Sequence, residues 1–262
     1  MDSLVSAVVL VSIGRHPVSG QARRAASDAR AVELALRVVP AERLTLLHAG
    51  DPSPAILRDY LGMGAPRLVC LAMPTGVDPL PALAAWLATA SPSLVLTGTT
   101  AEAGEGSGMV PYWLAHRLGL RLVPAIAGLT MASGEAAMVQ AVPGGRRRQL
   151  FCPLPLLATV GSRAPGPRLS AFARARRGVL YAAPARGEPD ARQDWAARPA
   201  RARPTRAMQG ASGSASERLR AGRGDTGSGK RGGDETTLAN IDPENAADRI
   251  LGYLREEGLL GR

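Results

Sequence analysis

The segment LTLLHAGDPSPAILRDYLGMGAPRLVCLAMP, residues 44–74, contains a complete strand–helix–strand unit and predicts the fold of the chain. Two apolar, uncharged runs at 44–50 and 68–74 are separated by a helical pattern with Pro54 near its start and Gly64 at its end. Proline is tolerated in the first turn of a helix, and glycine often follows the last one. Strands without polar alternation, joined by a helix, are typical of a parallel sheet that is covered on both faces.

The same alternation continues on both sides of this unit. Residues 27–39 have apolar side chains at helical spacing, and Ser27 or Asp28 is the predicted N-cap. The other segments that extend the pattern are a strand-like run at 8–13, a helical run at 81–90 and a strand-like run at 93–100. Repeated strand and helix units of this kind predict an α/β fold with a doubly wound, mostly parallel sheet.

The pattern changes after residue 120, where short strand-like runs are broken by SGE (133–135) and PGG (143–145). Turn residues between short apolar runs indicate hairpins. We therefore predict that the parallel sheet continues into an antiparallel hairpin extension. Residues 1–183 are expected to form this single α/β domain.

A compositional boundary follows the predicted domain. Residues 184–236 are rich in Ala, Arg, Pro, Gly and Ser without periodicity, so we expect a disordered linker. Residues 237–262 then contain a helix with Asp242 as N-cap and Pro243 at its first position. Ala247, Ile250, Leu251 and Leu254 form one apolar stripe. Such a helix either packs on its own domain or docks on a partner, and the long tether favours a partner.

The net charge of +10 arises mainly from one part of the chain. Residues 163–231 contain half of the 32 basic residues but only five of the 22 acidic ones. This stretch lacks the interleaved aromatics of an RNA-binding segment, so a solvated linker is the preferred interpretation and no nucleic-acid partner is expected. GDTGSGKR (224–231) imitates a phosphate-binding P-loop, but Arg231 stands where a hydroxyl residue would bind magnesium.

Catalytic and metal-binding motifs are absent from the sequence. The three histidines are far apart, no nucleophile–base pair is visible, and we expect no catalytic side chains and no metal. Cys70 and Cys152 lie in apolar runs, which indicates buried thiols in a reducing compartment, the cytoplasm. His48 ends a predicted strand, where a structural role is favoured over a ligand-binding one. No apolar run reaches the length that spans a bilayer, and residues 1–14 favour a strand over a signal peptide.

The segment TGTTAEAGEGSGMVPYWLAHRLG, residues 97–119, is the most informative candidate site. It follows the fourth predicted strand, and ligands of parallel α/β sheets bind at the carboxyl ends of strands. Gly104, Gly106 and Gly108 would let backbone N–H groups approach an anion, and the helix that begins near Met109 would add its positive end. The alternative is a plain flexible loop.

Seven collinear segments resemble the β subunits of electron transfer flavoproteins, and together they extend along the whole chain except its low-complexity insert. VLVSIGR (9–15) is similar to the opening motif VLVAVKR of that family, and LRDYLGMGAPR (57–67) is similar to its LRxALAMGADR. The segments that carry the resemblance are 9–15, 28–38, 46–71, 93–120, 142–160, 167–178 and 244–260. The resemblance implies an adenine-nucleotide-binding type of α/β fold and an electron carrier without catalytic side chains of its own.

The resemblance also implies partners and cofactors. Such subunits form a heterodimer with a larger α subunit that holds most of the redox-active FAD. The β subunit itself binds AMP or, in bifurcating members, a second FAD. Electrons come from a flavin-dependent dehydrogenase and pass to an acceptor such as a membrane quinone oxidoreductase, without insertion of the β subunit into the membrane. A stand-alone adenine-nucleotide-binding module of similar fold is the alternative, and the C-terminal helix argues against it.

Family positions map onto this chain residue by residue. Ser12 and Ala49 would complement adenine, and the loop would bind phosphate. The complete set of cofactor-binding positions that the resemblance implies is Ser12, Ala25, Ala26, Ser27, Asp28, Ala49, Gly104, Glu105, Gly106, Ser107, Gly108 and Met109. The chain departs from the family pattern at Gly14, which replaces a lysine, and in the loop sequence AEAGEGSG. The family's dehydrogenase-recognition loop is shortened here to LSAF (169–172), where Phe172 is a candidate anchor.

Overall fold

A computed structural model describes residues 5–104, 106–132, 134–187, 189–190 and 242–256. The chain divides into two compact units, residues 1–197 and 198–262. Of the predicted linker, residues 191–236 lie outside the described part, together with the P-loop-like segment 224–231.

The described part of the first unit contains eleven strands and five α-helices. The strands are β1 (Ala7–Leu10), β2 (Ile13–Arg15), β3 (Ala22–Arg24), β4 (Leu44–Gly50), β5 (Arg67–Ala72), β6 (Leu94–Gly98), β7 (Arg121–Ala132), β8 (Glu135–Ala141), β9 (Arg147–Pro153), β10 (Leu156–Val160) and β11 (Val179–Pro184). The helices are α1 (Ala26–Val38), α2 (Ile56–Leu61), α3 (Leu80–Ala90), α4 (Val110–Leu118) and α5 (Phe172–Arg177), with a 3₁₀ turn at Ala41–Arg43.

Nine strands form one sheet in the order β11-β5-β4-β1-β6-β10-β7-β8-β9, and β2 and β3 form a separate antiparallel ribbon. The seven strands from β11 to β7 are parallel, whereas β8 and β9 are antiparallel. The predicted α/β class with a mostly parallel sheet and a hairpin extension is confirmed. The chain leaves β1 toward β4 on one side and returns to β6 on the other, which creates a topological switch between β1 and β6.

Both faces of the central strands are buried, which explains their uninterrupted apolar sequences. In β6, Leu94 and Leu96 pack into the core cluster that includes α1 and α2, while Val95 packs into the cluster that includes α3 and α4. Successive residues of a strand point to opposite faces, so one apolar run supplies both layers. The two-sided core therefore holds the carboxyl ends of β1 and β6 in place.

The strands differ from the sequence-based predictions at three places. β10 does not join the hairpin extension but inserts between β6 and β7 as a parallel strand. β11 adds an unpredicted edge strand beside β5, and Ala185 continues the pairing through its N–H to the Ala72 carbonyl at 2.9 Å. The predicted strand at 8–13 ends at Leu10. Long-range pairing decides these features, and local pattern does not record it.

The predicted N-cap of α1 is wrong. The helix is capped at Ala25 without a side-chain hydrogen bond, and both Ser27 and Asp28 lie inside the first turn. Asp28 is instead buried against the carboxyl ends of β1 and β6. A residue type that caps helices by accepting N–H groups can also accept them from other elements, and here the tertiary contacts prevail.

Tyr60 of α2 connects two chain segments near the carboxyl end of β1. Its side chain is fully buried, and its hydroxyl accepts the Ala25 N–H at 2.8 Å and donates to the Ser12 carbonyl at 2.9 Å. Burial raises the pKa of Tyr60, so the phenol stays protonated and both hydrogen bonds persist at ordinary pH. The segments before α1 and after β1 are thereby joined through one side chain.

Glu33 of α1 anchors the segment that leads to α5. Its buried carboxylate accepts from the Arg168 Nε at 2.7 Å and N–H at 3.2 Å, and from the Arg37 Nε at 2.8 Å. Burial alone would raise the pKa of Glu33, but the hydrogen bonds from Arg168 and Arg37 outweigh it and lower the pKa to about 2. The carboxylate is therefore stabilised by charge-assisted hydrogen bonds across two elements.

The described part of the second unit is the helix α6 (Pro243–Glu256), which follows Asp242 as the sequence predicts. Ile250 and Leu251 are 61% and 40% exposed, and both belong to the apolar stripe. Gly258, the expected stop, lies outside the described residues.

Tyr60→Phe is expected to lower the free energy of unfolding by about 1–3 kcal/mol, because a buried N–H at Ala25 and the Ser12 carbonyl each lose their partner. Chemical denaturation followed by circular dichroism measures the change. The matched control is Tyr181→Phe, since Tyr181 is 62% exposed and its change should stay within about 0.5 kcal/mol. Equal effects of the two variants would contradict the assignment.

Glu33→Gln is expected to lower the free energy of unfolding by about 1–3 kcal/mol at pH 7. The folded pKa of about 2 lies below the ordinary 4.5, so the stabilisation is present above pH 4.5 and is lost as the pH falls toward 2. Denaturation of both proteins between pH 7 and pH 2.5 should show the gap closing. The exposed Glu42, changed to Gln, should produce no such gap, and a pH-independent gap for Glu33→Gln would refute the linkage.

Candidate functional site

A cleft of about 580 Å³ opens at the topological switch between β1 and β6. Leu10 and Val11 from the end of β1, Leu47 and Ala49 from β4, and Leu83 from α3 form apolar walls. The β6–α4 loop forms the remaining side. Small-molecule sites of α/β proteins have this position, this size range and this mainly apolar lining.

The Asp28 side chain bridges the carboxyl ends of β1 and β6, the strands on either side of the topological switch. Its Oδ2 accepts the Ser12 N–H at 2.7 Å and the Ser12 hydroxyl at 2.6 Å, and its Oδ1 accepts the Gly98 N–H at 3.0 Å. A side chain at position 98 is impossible, because a Cβ there would lie 2.3 Å from the Asp28 Oδ1 and 2.7 Å from the Ser27 Cβ. The carboxylate therefore ties α1, β1 and β6 together at the floor of the cleft.

Burial and hydrogen bonding have opposite effects on the pKa of Asp28. Burial raises its pKa to about 6, the hydrogen bonds from Ser12 and Gly98 oppose the rise, and the nearby Glu102 carboxylate adds a small further increase. At pH 7 the side chain is thus mainly ionised and occupied by donors of the protein itself. It works as a structural clamp that also forms part of the cleft lining.

The glycine loop, defined as residues 99–109, has a left-handed backbone at three glycines. Gly104, Gly106 and Gly108 have φ values of 75°, 63° and 71°, in the left-handed region that favours glycine. At Gly108 a Cβ would also lie 2.7 Å from the Thr99 carbonyl oxygen, so the loop closes tightly there. The loop leads directly into α4, whose first N–H groups and dipole favour a negative ligand.

The cleft has no arginine or lysine among its described lining residues, and its ionisable groups are Asp28, His48 and Asp190. The Nδ1–H of His48 donates to the Val11 carbonyl at 2.9 Å, and burial lowers the pKa of this imidazole, so a neutral, structural histidine ties β4 to β1. Any phosphate in this cleft would therefore be held by backbone N–H groups and the α4 dipole.

The cleft brings together seven of the twelve positions singled out from the sequence: Ser12, Asp28, Ala49, Gly104, Gly106, Ser107 and Gly108. Ala25, Ala26, Ser27 and Met109 are next to the lining but outside it. Ala25 is fully buried against Tyr60, and Ala26 donates its N–H to the Glu102 Oε1 at 2.7 Å. Glu105 lies outside the described residues.

Sequence reasoning missed several lining residues. Pro79 precedes α3 and Leu83 lies within it, and both line the cleft. Asp190 was assigned to the linker, yet its N–H donates to the Gly76 carbonyl at 2.9 Å and brings the residue to the cleft. Thr97–Ala101 also line the cleft and belong to the segment 97–119 that the sequence indicated, whereas no local pattern marks Asp190.

A second surface feature follows Arg168, whose side chain is held by the Glu33 carboxylate. Leu169 is 88% exposed and Phe172 is 76% exposed, although the backbone between them is fixed by the Ala171 N–H to the Gly62 carbonyl at 3.0 Å. The Arg176 guanidinium stacks over the Phe172 ring at 5.8 Å from its centroid. Two apolar side chains are thus presented on a fixed support with arginines beside them.

Two further kinds of feature are not found among the described residues. No helix there combines the length and apolar character of a membrane span. In the same part of the chain, no three His, Cys, Asp or Glu side chains are grouped so that they could hold a metal ion. The two cysteines are both buried and unpaired, as the sequence predicts.

Comparison with known proteins assigns the chain to a family. The electron transfer flavoprotein domain matches residues 15–187. An electron transfer flavoprotein subunit beta from Chromohalobacter salexigens is 44% identical over 267 residues, which cover 99% of this chain and 97% of that protein. A subunit of the same name from Syntrophomonas wolfei is 30% identical over 118 residues, or 44% of this chain and 46% of that one. This protein therefore belongs to the electron transfer flavoprotein family, in its β-subunit group.

Proposed function

We propose that this chain acts as half of a heterodimer with an electron transfer flavoprotein α subunit, and that it supports electron transfer through FAD held mainly by that partner. The observation that carries the proposal is the alignment with a named β subunit along nearly the whole of both chains. When bound, FAD supplies the ring that accepts and releases electrons. This chain contributes the scaffold and the partner-binding surfaces.

The cleft at the β1–β6 switch is proposed to bind an adenine nucleotide, AMP or the adenine end of a second FAD. Its apolar walls at Leu10, Val11 and Leu47 suit a flat base, and Ser12 and Ala49 lie beside them. The glycine loop and the start of α4 suit a phosphate. The volume of about 580 Å³ is within the usual range of small-molecule sites.

The described part of the chain offers no set of side chains suited to a chemical step of its own. Asp28 accepts three hydrogen bonds, and His48 donates one to the Val11 carbonyl. Both side chains therefore have structural roles in the cleft. Members of this family are electron carriers, and we infer that this chain follows them without catalytic side chains. The buried, unpaired thiols of Cys70 and Cys152 support a reducing compartment, the cytoplasm.

The helix α6 is proposed to dock on the α subunit. Ile250 and Leu251 expose one apolar face, and an amphipathic helix needs a second apolar surface to be stable. A stand-alone nucleotide-binding module would have no comparable need for this helix and its long tether, so the heterodimer is the preferred function.

Leu169 and Phe172 are proposed as the contact for the donor, a flavin-dependent dehydrogenase. The segment corresponds to the recognition loop implied by the family resemblance, and it is short but anchored by Arg168 and Ala171. Fixed apolar side chains bind with little loss of conformational entropy, and neighbouring arginines favour a partner with an acidic rim.

Co-expression with the α subunit encoded nearest to this chain is expected to give a yellow complex with 1:1 stoichiometry in size-exclusion chromatography. Extraction and mass analysis should recover FAD and, in addition, AMP or a second equivalent of FAD from the cleft. A colourless monomer that binds nucleotide and ignores the α subunit would instead establish the stand-alone module.

Replacing Leu169 and Phe172 together with serine is expected to raise the KM of the donor dehydrogenase for the heterodimer by about tenfold or more, which corresponds to about 1.4 kcal/mol or more of lost contact. Flavin content should not change. The control is Val18→Ser in the β2–β3 turn, where the valine is 90% exposed on a different element. An unchanged KM in the double variant would remove this surface from donor binding.

A further inference from the structure

Glu102 lies in the glycine loop but points away from the cleft. Its neighbours Ala101 and Ala103 line the cleft, whereas its own carboxylate binds on the opposite side of the loop. Oε1 accepts the N–H of Ala26, the first residue of α1, at 2.7 Å. Oε2 accepts the Arg23 Nε at 3.1 Å, and the Arg23 NH2 lies 3.0 Å away.

A third element completes this contact. A Cβ at Gly14 in β2 would lie only 2.4 Å from the Glu102 Oε2 and 2.9 Å from the Ala25 Cα. The missing side chain at position 14, where the resembling family has lysine, is therefore what makes room for the Glu102 carboxylate. The β2–β3 ribbon, the start of α1 and the glycine loop meet at this one acidic group.

We propose that Glu102 is the positioning residue of the glycine loop and determines where Gly104, Gly106 and Gly108 present their N–H groups to a phosphate. This proposal rests on the proposed nucleotide site in the cleft. Three glycines in the left-handed region leave the loop with much backbone entropy to lose on ordering, and a Cβ at Gly104 would meet no atom within 4 Å. The Glu102 contact fixes the first half of the loop, and α4 fixes the second.

Glu102 also occupies the first N–H group of α1. The first N–H of α1 is already bonded to a carboxylate of the chain itself, so α1 cannot offer it to a ligand. The start of α4 carries no acidic residue in its first turn. A carboxylate at the start of α1 therefore makes that helix end less favourable for a phosphate than the start of α4.

The test compares AMP with adenosine, because a positioning role in the phosphate loop affects only the ligand that has a phosphate. Isothermal titration of the nucleotide-free αβ complex should show that Glu102→Ala raises the Kd for AMP about tenfold, while the Kd for adenosine changes by less than about twofold. Glu102→Gln should have an intermediate effect, because its amide oxygen still accepts the Ala26 N–H but the ion pair with Arg23 is lost.

Two further variants guard against a general loss of structure. Arg23→Ala removes the ion pair with Glu102 from the partly exposed β2–β3 ribbon, and it should weaken AMP binding in the same selective way. Glu135→Ala removes an exposed acid on the hairpin extension and should change neither Kd. An equal loss of AMP and adenosine affinity, or no loss in Glu102→Ala, would overturn the positioning role. If the wild-type complex binds neither ligand, the nucleotide site itself falls, and this inference falls with it.

Discussion

The Asp28 carboxylate is the contact on which the architecture of the cleft depends. Strands β1 and β6 pair with each other only as far as Val9 and Leu96, and the segments that follow them go to opposite faces of the sheet. The ladder between these two strands therefore does not extend to Ser12 and Gly98. Asp28 joins these two residues from α1, by accepting their backbone N–H groups. Each of its two oxygens accepts one of these N–H groups, and an amide side chain has only one acceptor oxygen. Gly98 belongs to the same constraint, because any Cβ there would overlap with Asp28.

The electrostatics of the cleft follow from this arrangement. A carboxylate at its floor and the absence of arginine and lysine from the described lining leave backbone dipoles as the attraction for an anion. Dipoles act at short range and only in the right orientation, so the conformation of the glycine loop becomes decisive. The Glu102 contact with Arg23 and Ala26 lies outside the cleft and stabilises that conformation without placing another charge in the ligand's path.

Exposed apolar side chains occur in each of the two compact units. Glu33 holds Arg168, and this pairing fixes the backbone that exposes Leu169 and Phe172. The amphipathic helix α6 belongs to the second compact unit and exposes an apolar face of its own. A subunit that provides binding surfaces and a rigid core, while the redox chemistry belongs to a partner-held cofactor, is consistent with the β-subunit group to which the chain belongs.

The sequence by itself determined the fold class and the position of the cleft. Apolar runs such as 44–50 and 93–100 report burial on both faces of a parallel sheet, and three closely spaced glycines after a strand report a close backbone approach. The burial of a strand and the backbone freedom of a glycine both depend on residue type at each position, so the local sequence pattern indicates them. The burial of both cysteines and the start of α6 at Pro243 were predictable for the same reason.

Only the tertiary structure decided which polar groups meet. Asp28 had the pattern of a helix cap but is a clamp between strands, β10 had the pattern of a hairpin strand but inserts at the centre of the sheet, and Asp190 looked like linker but reaches the cleft. The contact of Glu102 with Arg23 joins residues 79 positions apart in the chain. Hydrogen bonds between such distant residues depend on the three-dimensional path of the backbone, and no periodicity or composition of either segment encodes the partner.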